Sequence, residues 1–274
     1  MPALREGDPG REAGFAGIGL RARAGACKPV RTIKLTIAYD GTGFVGWQRQ
    51  DTGESVQGLI EDALARIEGS IVTLHGAGRT DAGVHALAQV ASARIAAELD
   101  DDTLARALNA NLPAAVRIIG VETVAVDFHA RFSATGKTYE YRIWNGPAMP
   151  PFIRLYAWHV PQPLDVAKMN EASRAIVGEH DFAAFQGTGS RTHSTVRRVT
   201  SAEWRADGPA VTLAISGDGF LRHMVRSLAG TLVEVGHRRR PVDDLARLVA
   251  APQRTEAGRT APPHGLFLVS VLYN

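Results

Sequence analysis

The chain has 274 residues, 45% of them hydrophobic and 22% charged, which fits a folded globular protein and excludes a collagen, a coiled coil or a wholly disordered chain. A single cysteine, Cys27, excludes an internal disulfide and a cysteine-based zinc site, and fits a reducing, cytoplasmic setting. The formal charge of +3 lies entirely in residues 1–31, which hold six basic and three acidic side chains. Residues 32–274 carry 25 of each. The global charge therefore argues for no partner until it is resolved into patches. The bias of 27 Arg over 4 Lys suits phosphate and base recognition, though genomic composition produces the same bias.

Residues 1–31, rich in Ala, Gly and Arg, read as a mobile tail without an apolar run long enough for a signal or a membrane span. Order begins at Thr32, where Ile33, Leu35, Ile37 and Tyr39 alternate as in a half-buried strand. Val56, Leu59, Ile60, Ala63, Leu64 and Ile67 follow at helical spacing, with Ser55 as N-cap and Gly69 as stop. Strands are expected over 71–75 and 88–95, a helix over 103–109 and a strand over 116–124. This is the β-α-β-β-α-β order of a ferredoxin-like unit. A looser second set follows: a strand over 137–144, a helix over 165–177 closed by Gly178, a hairpin of 196–205 with 210–216, a long helix over 220–235 stopped by Gly236, a short helix over 241–250 and a last strand over 266–272.

The expected fold is α+β: two ferredoxin-like (RRM-like) halves, residues 32–135 and 136–274, each with a sheet flanked by helices.

The run Gly41-Thr42-Gly43-Phe44-Val45-Gly46 spells the dinucleotide-binding G-x-G-x-x-G after a strand. Its context is wrong, because Trp47-Gln48-Arg49-Gln50 and Gly53 intervene before the helix. No P-loop, H-E-x-x-H or G-x-S-x-G occurs, and no two His residues sit at ligand spacing on one helix. The chemistry concentrates instead in Gly78-Arg79-Thr80-Asp81-Ala82-Gly83-Val84-His85, between two strands. An Arg, an Asp and a His share one loop there, and small neighbours permit close approach of another chain.

That octapeptide resembles the signature of the tRNA pseudouridine synthase A family. Further marks occur in order: Tyr39-Asp40-Gly41, Gly46-Trp47-Gln48-Arg49-Gln50, Ser55-Val56-Gln57, Asn109-Ala110-Asn111-Leu112-Pro113, Asp127 to Ala134, Lys137-Thr138-Tyr139-Glu140-Tyr141 and His223-Met224-Val225-Arg226. The resemblance runs from about residue 32 to 273 and leaves out the tail. It implies that the two halves form one continuous, mixed, mainly antiparallel sheet flanked by helices, the first half carrying the catalytic Asp loop and the second completing the cleft. It implies isomerisation of uridine to pseudouridine at positions 38, 39 and 40 of the tRNA anticodon arm, by a homodimer that needs no cofactor or metal.

It also implies roles. Asp81 is the catalytic carboxylate and nucleophile, and Arg226 its basic partner. Tyr139 stacks on the uracil and assists removal of the C5 proton, although period-two alternation by itself does not choose between Tyr139 and Tyr141. Arg79 is the base-flipping arginine.

Candidate RNA-binding patches are Arg222, Arg226, Arg238, Arg239 and Arg240; His129, Arg131, Lys137 and Arg142; and Arg191, Arg197 and Arg198. The acidic Glu98 and Asp100 to Asp102 should face away from RNA. Two other readings compete. A non-catalytic RRM-like module would show paired aromatics on a central strand, and residues 88–95 hold none. A nicotinamide-dependent oxidoreductase would rest on the glycine run alone.

Overall fold

The computed structural model describes residues 30–187, 189 and 192–274; most of the expected tail, with Cys27, and Arg191 lie outside them. The strands are β1 (Arg31–Tyr39), β2 (His75–Gly76), β3 (His85–Ile95), β4 (Val116–Val124), β5 (Ala134–Trp144), β6 (Trp158–His159), β7 (Gly178–Asp181), β8 (Val196–Asp207), β9 (Ala210–Gly217) and β10 (Leu266–Tyr273). The helices are α1 (Val56–Glu68), α2 (Asp101–Asn111), α3 (Val166–Ser173), α4 (Met224–Gly236) and α5 (Asp244–Ala250).

All ten strands join one sheet in the order β4-β1-β3-β10-β5-β9-β8-β7, with β2 on β3 and β6 on β5. The pairings are antiparallel except β10 with β3 and β5 with β6. This is the expected mixed α+β sheet. Its join is made by β10, which lies antiparallel to β5 and parallel to the start of β3. One contiguous apolar core includes Ile33, Leu35, Ile60 and Leu108 from early elements together with Leu213, Ile215, Leu228 and Leu232 from late ones. None of the described helices is long and apolar enough to cross a membrane.

Local signals were accurate where they were local. Ser55 Oγ accepts from the Gly58 N–H at 3.2 Å, and Gly69 closes α1 at φ 70°, as an N-cap and a left-handed C-cap should. Four expectations need correction.

The strand over 71–75 shrinks to His75–Gly76. Side chains of α1 take the backbone groups a strand would pair: Gln57 Nε2 donates to Leu74 O, and Leu74 N donates to Glu61 Oε1. The strand expected from Ala88 starts at His85, because the register slips between the Ile37–Gln89 and Tyr39–Ala86 pairs and interrupts the alternation. The helix over 165–177 tightens into a 3-10 turn at Arg174–Ile176, after which Gly178 (φ 115°) opens β7.

The helix expected from Phe220 opens only at Met224, since His223 takes a left-handed conformation (φ 65°). Gly236, with His237 as C-cap, is the last residue of α4, as the expected stop there implies. A Cβ there would meet Met169 Sδ at 2.7 Å, so the glycine allows α3 to pack against α4.

Candidate active site

The loop 77–84 leaves β2 and enters β3 under many tethers. Ala77 N donates to Val90 O at 2.7 Å, and Gln89 Nε2 to Gly78 O at 2.9 Å. Trp47 N donates to Thr80 O at 3.1 Å, and the Thr80 hydroxyl meets the Tyr39 hydroxyl at 2.8 Å. Val84 N donates back to Asp81 O, closing a turn in which Gly83 takes φ 74°. The glycine run that mimics a nucleotide motif finds its use here. A Cβ on Gly41 would lie 2.1 Å from Val84 O, and one on Gly46 (φ 110°) would lie 2.6 Å from Thr80 O. These glycines let the chain press against the back of the Asp81 loop.

His85 completes the support. Its ring is buried, Nδ1 accepts from Gly41 N at 3.0 Å, and Nε2 faces Leu155 O at 3.1 Å, which places the proton on Nε2. Burial holds this imidazole below its ordinary pKa, against the opposing pull of Asp40, so it is neutral at pH 7.

With its backbone so fixed, the Asp81 side chain meets the first turn of α4. Arg226 Nη1 donates to Asp81 Oδ2 at 3.0 Å. Arg226 is itself oriented by its Nε, which donates to Ala261 O at 2.8 Å, and its side chain is only 13% exposed. The expected carboxylate and its expected basic partner are thus in contact across 145 residues of sequence.

His223, which opens the motif that holds Arg226 but has no expected role of its own, supplies a second neighbour. Its Nε2 stands 3.4 Å from Asp81 Oδ2. Burial pushes this imidazole below its ordinary value; Asp81 opposes the shift, and Arg226, Arg222 and Arg254 reinforce it. His223→Gly should keep the thermal midpoint within a few degrees, because glycine suits the left-handed backbone, yet lower turnover. Thermal unfolding alongside a tRNA isomerisation assay checks this; equal turnover would remove His223 from the site.

Tyr139 and Tyr141 separate clearly. Tyr141 is fully buried and donates its hydroxyl to Pro262 O at 2.8 Å. Tyr139 packs edge-on to Phe220 with ring centroids 5.2 Å apart, and its hydroxyl has no hydrogen-bond partner among the described residues. Burial raises its phenol, with Tyr39 and the nearby Asp81 carboxylate adding in the same sense. At rest it is a protonated donor, not a phenolate.

The same direction holds for all five tyrosines: burial raises Tyr39 (to about 12), Tyr141 and Tyr273, and a hydrogen bond to Asp40 raises Tyr156. A raised phenol stays neutral in the folded chain where the unfolded chain begins to ionise. Stability from these groups is therefore full below about pH 10 and is lost as the pH climbs through the raised values. Phenolate absorbance in the near ultraviolet should be nearly absent at pH 10 in the folded chain and return on unfolding in denaturant.

The remaining expected site residues are placed as follows. Arg79 is exposed on the loop, two residues before Asp81, with no ion-pair partner among the described residues. Lys137 reaches the same loop, its Cε 3.5 Å from where a Gly78 Cβ would stand, and its ammonium is pushed below its ordinary value by burial, with Arg131 and Arg197 adding. His129 and Arg131 lie together in the turn before β5, and Arg222 is exposed just before α4.

The larger basic patches break up. Arg238 pairs with Asp165, while Arg240 is bound to Glu234 and Asp244 at the far end of α4 from Asp81. Arg142 pairs with Glu140 and lies 3.9 Å over the Phe267 ring, and Arg198 pairs with Glu179. Of the acidic run, Asp100 caps α2 and Asp101 bonds Arg31 and Thr123, so these two carboxylates serve the fold.

Comparison with known proteins identifies the family. Residues 35–133 and 172–274 match the family described as tRNA pseudouridine synthase. A tRNA pseudouridine synthase A from Solidesulfovibrio magneticus is 48% identical over 88% of this chain and 90% of its own. Proteins of the same name from Methylacidiphilum infernorum and Caldicellulosiruptor saccharolyticus are 44% and 41% identical, covering 94% and 100% of their lengths. The chain belongs to the tRNA pseudouridine synthase family, enzymes that isomerise uridine to pseudouridine in tRNA.

Proposed function

We propose that this enzyme acts on uridines 38, 39 and 40 of the tRNA anticodon stem-loop, with Asp81 as its catalytic nucleophile. The observation that carries the reading is the convergence of Asp81, Arg226 and the unpartnered Tyr139 hydroxyl from three separate elements. The reaction breaks N1–C1′, turns the uracil and joins C5 to C1′. The C5 proton is lost and N1 gains one, so no outside group is consumed. The Asp81 carboxylate opens the glycosidic bond, by attack on the sugar or by assisting deprotonation. Arg226 supplies a fixed counter-charge while the carboxylate waits and re-forms. Tyr139 offers a ring to the turned base and a hydroxyl positioned to assist proton removal.

The target base must first leave its stack, at a cost of a few kcal/mol. Arg79, exposed and uncommitted beside Asp81, fits the group that fills the gap it leaves. Arg131, His129, Lys137 and Arg222 fit contacts to the RNA. Residues 32–135 then act as the half carrying the nucleophile, and residues 136–274 as the half closing the cleft, in a cytoplasmic homodimer.

Release of tritium from uracil C5, combined with mapping of pseudouridine in tRNA from cells lacking the gene, tests activity and position together. Full modification at 38–40 in such cells would overturn the assignment. A monomer mass by light scattering at micromolar concentration would overturn the dimer.

A further inference from the structure

Three rings stand in file beside the Asp81 loop, and the reaction chemistry uses none of them. His75 and His129 have centroids 4.9 Å apart at 34°, and His129 and Phe132 4.4 Å apart at 34°. The Arg131 guanidinium lies 5.6 Å from the Phe132 centroid. Phe132 is 77% exposed, so its ring is open to a partner. The row borders a cavity of about 390 Å³ whose walls include His75, His129, Phe128, Ile71, Thr73 and Arg94. That volume is within the range of small-ligand sites.

The arrangement is built in advance. His129 Nδ1 accepts from the backbone N–H groups of Arg131 at 3.1 Å and Phe132 at 3.4 Å. Ala130 N donates to Ser92 Oγ, and Ser133 N to His129 O, so the turn that holds the rings is tied to β3 and to itself. A surface fixed before binding loses little order on binding.

Its surroundings point to RNA. Arg94 and Arg131 are exposed, and neither has a carboxylate partner among the described residues. His75 lies two residues before the start of the 77–84 loop. Lys137 bridges the two places, touching Gly78 on one side and feeling Arg131 on the other. A ladder of rings next to free guanidinium groups is the arrangement that takes up unstacked bases.

We propose that His75, His129 and Phe132 form a stacking site for a nucleobase of the tRNA substrate, the one left without a neighbour when the reacting uridine is drawn out. The proposal rests on the tRNA isomerase reading and adds a second base-binding place to the site of that reaction. Withdrawing one base from a stem exposes the face of the next. A ring surface within the same loop system replaces the lost stacking partner, and the free guanidinium groups hold the flanking phosphates.

The test is affinity for a transcribed tRNA, measured by filter binding at several salt concentrations in an Asp81→Asn background, so that no turnover intervenes. Phe132→Ala and His75→Ala should each weaken binding about 5- to 100-fold, by the same factor at every salt concentration, because a ring contributes no phosphate contact. Phe132→Trp should restore binding, which a merely structural role would not explain. In a set of tRNAs each lacking one base of the anticodon arm, a single position should weaken the parent chain and leave Phe132→Ala unaffected. Affinity within twofold of the parent for both alanine variants overturns the proposal. So does a loss that is equal for every abasic tRNA. Failure of the unaltered enzyme to release tritium would instead sink the isomerase reading, and the binding result would stand apart from it.

Discussion

Asp81→Asn should abolish isomerisation while leaving a folded chain that still binds tRNA. Asparagine keeps the shape of the side chain and an oxygen that accepts from Arg226 Nη1, so the contact seen at 3.0 Å has a substitute. It removes the negative charge and the oxygen that the proposed mechanism uses as nucleophile. Loss of a nucleophile from a site whose parts act together costs on the order of 10⁴-fold or more in turnover. Tritium release from C5 measures the loss, and thermal unfolding of the same sample shows that the fold survives. Turnover near that of the parent would remove Asp81 from the centre of the mechanism. Arg226→Lys makes a useful companion. It keeps a cation but lacks the second arm, which now bonds Ala261 O, so it should lose less than Asp81→Asn and more than a surface change.

Gly41→Ala should be nearly as damaging by a different route. The added methyl would lie 2.1 Å from Val84 O, a backbone atom that cannot swing aside. Either β1 or the turn at Asp81–Val84 must move. Overpacking against backbone costs about 3 kcal/mol, which lowers the thermal midpoint by roughly 6–12 °C in a chain of this size. A shift of about 1 Å in a catalytic group can cost about 100-fold in rate. Turnover should therefore fall even at temperatures where the variant is fully folded. Gly43→Ala is the control. Nothing lies within 4 Å of its Cβ position, but φ is 87°, so it should cost roughly 1–2 kcal/mol of strain and leave the rate of the folded enzyme unchanged. Calorimetry and single-turnover rates on the pair separate stability from geometry. Equal rates for both variants would show that the back of the loop does not position Asp81.

What the sequence made legible was short-ranged. The caps of α1 at Ser55 and Gly69, the alternation of β1 and the hairpin of 196–205 with 210–216 depend on residues close in sequence, and each took the expected form. The Asp81–Arg226 contact was legible only through the ordered motifs, since nothing in either segment's own pattern points to the other. The errors fell where distant parts intervene. Alternation at 71–75 could not reveal that Gln57 and Glu61 would claim the backbone of Leu74. Helical spacing from Phe220 could not reveal the left-handed turn at His223 that brings an imidazole to Asp81. Charge runs misled for a related reason. Whether an arginine is free depends on which carboxylates the fold delivers to it, and Arg238 received one and Arg240 two.

The position of β10 has a consequence for how the site is assembled. This strand comes from residues 266–273, yet it fills the middle of the sheet, with β3 on one side and β5 on the other. The residues leading into it also back the Asp81 loop: Ala261 O holds Arg226, Pro263 packs on Gly83, and Phe267 stacks on His85 at 4.7 Å. A chain cut after residue 260 keeps Asp81, Tyr139 and Arg226 and loses the strand that joins their supports. Pairings between distant segments form late in folding. Such a truncated chain is therefore expected to hold Asp81 and Arg226 out of register, so that their contact depends on a strand more than 180 residues beyond Asp81 in sequence.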